Sequence, residues 1–239
     1  MIKDIARKTL NALHIDLTKN LKYDRLTKKL MSERLKVDSN CIDVGCHKGE
    51  MLDLMLRFSP RGRHFAFEPI PEMYYNLKVK YNGKATVMPY ALSDKEGKTT
   101  FNHVKNAPAY SGIKKRKYDI ENPEIIEIEV KLARLDDVIP DDIKIDFIKI
   151  DVEGAELGVL KGGGKIISTH KPLVVFEFGL GASDYYGTKP DDIYNLLVND
   201  YGMNISNLKD FIKGKKPLTL KEFSDTYFKA KEYYFVAHG

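Results

Sequence analysis

Ile145-Asp-Phe-Ile-Lys-Ile-Asp-Val-Glu-Gly-Ala-Glu156 is an apolar run that stops abruptly on three carboxylates, Asp151, Glu153 and Glu156. A buried strand ending in acids puts charge at the carboxyl edge of a sheet, where open α/β folds bind their ligands. Two strand ends upstream extend the pattern: Cys41-Ile-Asp-Val-Gly-Cys-His-Lys-Gly49 and His64-Phe-Ala-Phe-Glu-Pro69. A first strand running into a glycine turn, a second ending in an acid, and a later acidic strand end give the order of the nucleotide half of a doubly wound sheet.

Working outward, strands and helices alternate: strand 41–44, helix 49–58, strand 64–68, helix 71–81, strand 85–90. This alternation is the parallel βαβ signature. Phe101 to Val104 and Ile125 to Leu132 read as extra strands, joined by a polar loop holding Lys114-Lys-Arg-Lys117, which reads as a solvated loop with substrate contact as the lesser reading. The sheet resumes with strand 145–150, a helix near 155–161, strand 172–178 and a helix near 190–200. Met203 to Leu208 and Glu232 to Ala237 are expected to close it as an antiparallel pair.

The chain has 239 residues, enough for one substantial core, with 43% hydrophobic and 31% charged residues in the range of globular proteins. Residues 1–36 hold ten basic side chains against four acids, so they carry +6 of a formal +5 and leave −1 for the rest. We therefore expect a basic helical cap over 1–38 and a main domain over 39–239. Ile2, Ile5, Ala6, Leu10 and Leu13 repeat at helical spacing, and Leu26, Leu30, Met31 and Leu35 do so again after an expected break at Tyr23-Asp24. The basic face reads most simply as solvated, with docking of an acidic glycan, lipid head group or partner as the alternative. No run approaches the ~20 apolar residues of a membrane span, and the N-terminus lacks a signal-type apolar block, so a cytoplasmic location is expected. The two cysteines, Cys41 and Cys46, fit a reducing compartment; with His47 they offer three ligands in poor spacing, and no metal site is expected.

Asp43, two residues before Gly45, separates the candidate cofactors. A pyrophosphate on the helix N-terminus would be repelled by that carboxylate, and Cys46-His47 stand where a dinucleotide fingerprint would place its middle glycine. S-adenosylmethionine fits better, since it carries a sulfonium and an ammonium and no phosphate. Asp43 and Asp151 would attract those cations, Glu68 would accept from both ribose hydroxyls, and Gly45 and Gly49 would let the backbone approach closely. Ala91, Leu92 and Ser93 are expected to flank the adenine.

Asp43-Val-Gly-Cys-His-Lys-Gly49, Phe67-Glu-Pro-Ile-Pro71, Ala91-Leu-Ser-Asp-Lys-Glu-Gly97, Arg134-Leu-Asp-Asp137 and the segment from Ile145 to Glu156 resemble the successive motifs of the FkbM-type S-adenosylmethionine-dependent methyltransferases. The resemblance runs from about residue 40 to 180. It implies an α/β class I methyltransferase fold (Rossmann-like, doubly wound, mainly parallel, with a terminal antiparallel strand) and, usually, O-methylation of a sugar, macrolide or other secondary metabolite. The family commonly has Ala-Asn where this chain has Cys46-His47, a departure that adds a titratable ring beside the methyl donor; Cys46, His47 and Pro69 are also among the cofactor contacts expected here.

In that frame Asp151 faces the cofactor, and Glu153 faces the acceptor or serves as base. Capping of the following helix is the competing role for Glu153 and Glu156. His47 is a second candidate base, although a turn histidine is more often simply exposed. Glu177, an unusual acid in a strand, either faces the acceptor or pairs with a lysine. The expected activity is O-methylation of a small molecule or glycan. A nucleic-acid methyltransferase is opposed by the near-neutral main body and the missing Asn/Asp-Pro-Pro-Tyr/Phe motif. A non-catalytic cofactor-binding scaffold is the third reading.

Overall fold

Short runs rich in Ile, Val and Phe build the frame. In the computed structural model, which describes residues 19–118 and 120–239, seven strands form one sheet in the order β3-β2-β1-β7-β8-β10-β9. They are β1 (Cys41–Val44), β2 (His64–Phe67), β3 (Thr86–Met88), β7 (Phe147–Ile150), β8 (Leu173–Glu177), β9 (Asn204–Asn207) and β10 (Tyr234–His238). β1, β2, β3, β7 and β8 pair in parallel, while β10 runs antiparallel to both β8 and β9. β1, β2 and β7 are buried along their whole length, as parallel strands covered on both faces must be.

β4 (Tyr90–Leu92), β5 (Gly97–Val104) and β6 (Ile125–Ala133) form a second sheet in the order β4-β6-β5. The expected strand 85–90 is therefore two: Thr86–Met88 stays in the main sheet and Tyr90–Leu92 crosses to the second. Pro89 separates them, because it has no N–H to give to a continuing ladder. The expected helix near 155–161 is Glu156–Gly162, and a further helix, Gly164–His170, follows it after Gly163. The expected helix near 190–200 is divided, Pro190–Tyr194 passing into the wider turns of Asn195–Asp200.

The main sheet separates two apolar clusters. Ile42, Val44, Ile148, Ile150, Val174 and Phe176 face one side. Cys41, Phe147, Val175 and Val236 face the other, where Tyr23, Leu26, Leu30 and Met31 of the helix Lys19–Arg34 cover them. That helix runs unbroken through Tyr23-Asp24, contrary to the expected break: Tyr23 is 1% exposed and stacks on Tyr234 at 4.6 Å, so tertiary packing settles the local ambiguity. Its basic face is partly engaged, with Lys22 paired to Glu232 at 2.9 Å and Arg34 over the Phe211 ring at 5.2 Å. The earlier amphipathic repeat, Ile2 to Leu13, lies outside the described residues. Among the described residues no helix is long and apolar enough to cross a membrane.

Candidate active site

Strand register assembles the site. Asp43 on β1 is aligned with Lys149 on β7, and Lys149 with Val175 on β8. Asp151 and Glu177 lie two residues beyond Lys149 and Val175, hence on the same face, and Glu177 is aligned with Tyr234 on β10. Five polar side chains thereby converge at the carboxyl edge of the sheet and line a cavity of about 360 Å³.

Asp43 is 1% exposed, and neither carboxylate oxygen has a hydrogen-bond partner; the Cys46 thiol and the Leu52 amide approach it but fall outside bonding geometry. Burial raises its pKa, opposed in part by Lys149. Asp151 accepts from Lys149 Nζ at 2.8 Å and from the Tyr234 hydroxyl at 2.9 Å, and despite burial these contacts hold its pKa below the usual carboxylate range. Burial, then the charge on Asp151, pushes Glu177 well above that range.

The glycine turn follows from close packing. Gly45 has φ +77°, and a Cβ there would overlap the Asp151 carbonyl oxygen, so only glycine lets the β1 and β7 ends approach. His47 is also left-handed, at φ 50°, with its N–H donated to Glu68 Oε2 at 2.9 Å. Glu68 Oε1 accepts from Ile70 N at 3.0 Å, so the carboxylate clasps two turns, and burial raises it to about 7. Each oxygen keeps a lone pair for a further donor.

The opposite wall comes from the second sheet and its loop: Tyr90, Phe101, Tyr110 and Arg116. Arg116, from the loop that reads as solvated, is instead nine-tenths buried and bonded to Glu153, with its guanidinium 5.6 Å from the Tyr110 ring. Glu153 sits at φ 58° and lines the cavity, but its carboxylate is committed to that guanidinium. Glu156 is not a lining residue: its Oε1 accepts from Val152 N at 3.2 Å and Gly154 N at 3.1 Å, fixing the turn ahead of its helix.

Of the expected residues, Asp43, Gly45, Cys46, His47, Glu68, Pro69, Ala91, Leu92, Asp151 and Glu153 all line the cavity. Gly49 and Ser93 are not among its lining residues. Gly49, at φ +80°, meets the Tyr81 ring, and the Ser93 carbonyl packs against Gly162. Lys149, Tyr234, Asn20 and Asp24 went unread. Lys149 alone left a signal, as a lysine alternating with Asp151 in an otherwise apolar strand. Both cysteines are buried free thiols, and among the described residues no three His, Cys, Asp or Glu side chains converge as metal ligands.

The family described as the methyltransferase FkbM domain matches residues 43–205. Similar proteins include 2-O-methyltransferase NoeI of Sinorhizobium fredii (strain NBRC 101917 / NGR234), 26% identical over 165 residues, covering 63% of this chain and 67% of that protein. Methyltransferase sdnD of Sordaria araneosa is 29% identical over 152 residues, covering 51% of this chain and 59% of that one. The crystal structure of methyltransferase FkbM from Methylobacillus flagellatus KT has the same fold, with a TM-score of 0.54 and 18% identity, covering 86% of this chain and 44% of that chain. Fold and site together define a class I methyltransferase with S-adenosylmethionine as its methyl donor. The chain belongs to the FkbM methyltransferase family.

The residues present suit that donor. An unpartnered buried carboxylate, Asp43, lines the cavity, and a cation there would offset its desolvation.

Proposed function

We propose that this chain O-methylates a hydroxyl of a small molecule or glycan. Asp43, Gly45, Cys46, His47, Glu68, Pro69, Ala91, Leu92 and Asp151 would hold the donor, which when bound supplies an electrophilic methyl group on a sulfonium. Tyr90, Phe101, Tyr110 and Arg116 would seat the acceptor, with Glu153 holding Arg116 in place. Most of the acceleration then comes from aligning the acceptor oxygen, with a nearby carboxylate taking its proton.

The observation that carries the reading is the joining of the acidic strand edge to an aromatic wall within one cavity. The charge of that cavity favours an uncharged acceptor over nucleic acid. Seven Asp or Glu residues line it against three Lys or Arg, a balance that repels a phosphate backbone. The 2-O-methyltransferase among the relatives supports oxygen as the target atom. Mass-spectrometric screening of cell-extract metabolites and glycans for an isotopically labelled methyl group tests it. Label on nitrogen or on nucleic acid alone would overturn the assignment.

A further inference from the structure

We propose that Glu177, paired with Asp151, is a proton store tied to the charge of the methyl donor: it gives up its proton as the cationic donor binds and takes the acceptor's proton when that charge is spent. The donor-binding half stands on family membership; the acceptor half rests on the hydroxyl reading above.

Three carboxyl groups, Asp43, Asp151 and Glu177, converge with one lysine, Lys149, in a buried edge of one cavity. Lys149 Nζ and the Tyr234 hydroxyl both go to Asp151 Oδ2. Asp43, 1% exposed, has no hydrogen-bond partner on either oxygen, so the edge sets three carboxyl groups against one cation. Asp151 and Glu177 stand side by side, each two residues beyond the paired Lys149 and Val175, and two carboxyl groups brought together in a buried edge favour holding one proton between them. Around the Asp151–Glu177 pair stand Lys149 from β7, Asp43 from β1, Tyr234 from β10, Tyr233 beside it and Glu156 of the next helix, with Asp24 of Lys19–Arg34 near the two tyrosines. Burial and Asp151 oppose ionisation of Glu177, and Lys149 only partly offsets them.

A cation entering the cavity removes that opposition, so the proton leaves to solvent. On methyl transfer the acceptor oxygen bonds the methyl carbon, and the S–CH3 bond breaks with its electron pair passing to sulfur. The hydroxyl proton goes to the Glu177 carboxylate, and every charge is accounted for.

Calorimetry of the full chain with S-adenosylmethionine and S-adenosylhomocysteine, in two buffers of different ionisation enthalpy over ~pH 6 to 9, separates the outcomes. Both ligands share an ammonium and a carboxylate, and only the sulfonium differs. We expect S-adenosylmethionine to release more protons than S-adenosylhomocysteine. Its Kd should fall with rising pH by as much as about tenfold per unit for one linked proton. Glu177→Gln, folded by circular dichroism, should abolish that difference. Equal proton release by the two ligands, or a difference surviving in Glu177→Gln, overturns the proposal. Infrared difference spectra of the unmutated protein decide it independently of any variant: a protonated carboxyl band should vanish with S-adenosylmethionine and persist with S-adenosylhomocysteine, and a band unchanged by either overturns it. Absence of any S-adenosylmethionine binding would instead sink the methyltransferase reading itself.

Discussion

The guanidinium of Arg116 is bonded to the carboxylate of Glu153, and both residues line the cavity. Arg116 Nη1 also donates to the Gly181 carbonyl at 3.2 Å, while the Tyr186 and Tyr185 hydroxyls accept from Lys114 N and Lys117 N, each at 3.1 Å. The basic loop is thus pinned to the segment after β8. Glu153, suited by sequence to a base, has its carboxylate bonded to Arg116.

Glu153→Gln should accordingly cost about 1–3 kcal/mol of stability, since it leaves a largely buried guanidinium with a neutral partner. Donor affinity should change little. Urea unfolding and calorimetry check both. Unaltered stability with lost turnover would return the role of base to Glu153.

Gly45→Ala should destabilise the protein by at least about 2 kcal/mol, because the new Cβ collides with the Asp151 carbonyl and φ +77° is strained for alanine. Rigid backbone on the far side leaves no flexible atom to yield. A thermal midpoint equal to that of the unmutated chain would remove the close approach as the reason for this glycine.

How much could be read beforehand depended on whether a residue's role was local. Glu68 and Asp151 were legible because each ends an apolar run, and Asp43 because it is a carboxylate inside a buried strand just ahead of a glycine turn. The closing strands, 204–207 and 234–238, were legible as short local runs. Arg116 was not, since nothing in Lys-Lys-Arg-Lys tells which of four cations turns inward; that is decided by Glu153 and Gly181, 37 and 65 residues away. The left-handed backbone of Glu153 was equally hidden, because glycine marks such positions and glutamate does not. Pro89 did mark the division of 85–90, and its missing N–H was the signal overlooked.

Glu68→Gln tests the clasp between the β1 and β2 turns. An amide offers one acceptor oxygen where the carboxylate offered two, so either the His47 or the Ile70 amide loses its partner, and charge-assisted bonds to ribose hydroxyls are lost with it. S-adenosylmethionine binding should weaken by roughly 1–3 kcal/mol, with the fold retained by circular dichroism. An unchanged dissociation constant would place the ribose elsewhere.

Glu156 supplies a pH prediction. It is 1% exposed, and burial raises its pKa from the ordinary 4.5 to about 7, against the pull of the Gly154 and Val152 amides. Between those values the folded chain holds a proton that the unfolded chain has lost. Glu156 therefore contributes stability that is fully present below 4.5 and is lost as pH rises through about 7. Glutamine stays neutral throughout, and its single carbonyl oxygen can still accept from both amides, as Oε1 does now. Glu156→Gln should match the unmutated protein near pH 4 and exceed it near pH 8 by on the order of 1–3 kcal/mol, measured by urea unfolding without ligand. A stability difference that is the same at both ends of that range would mean that Glu156 does not titrate within it, and that the turn ahead of its helix is held by an ionised carboxylate.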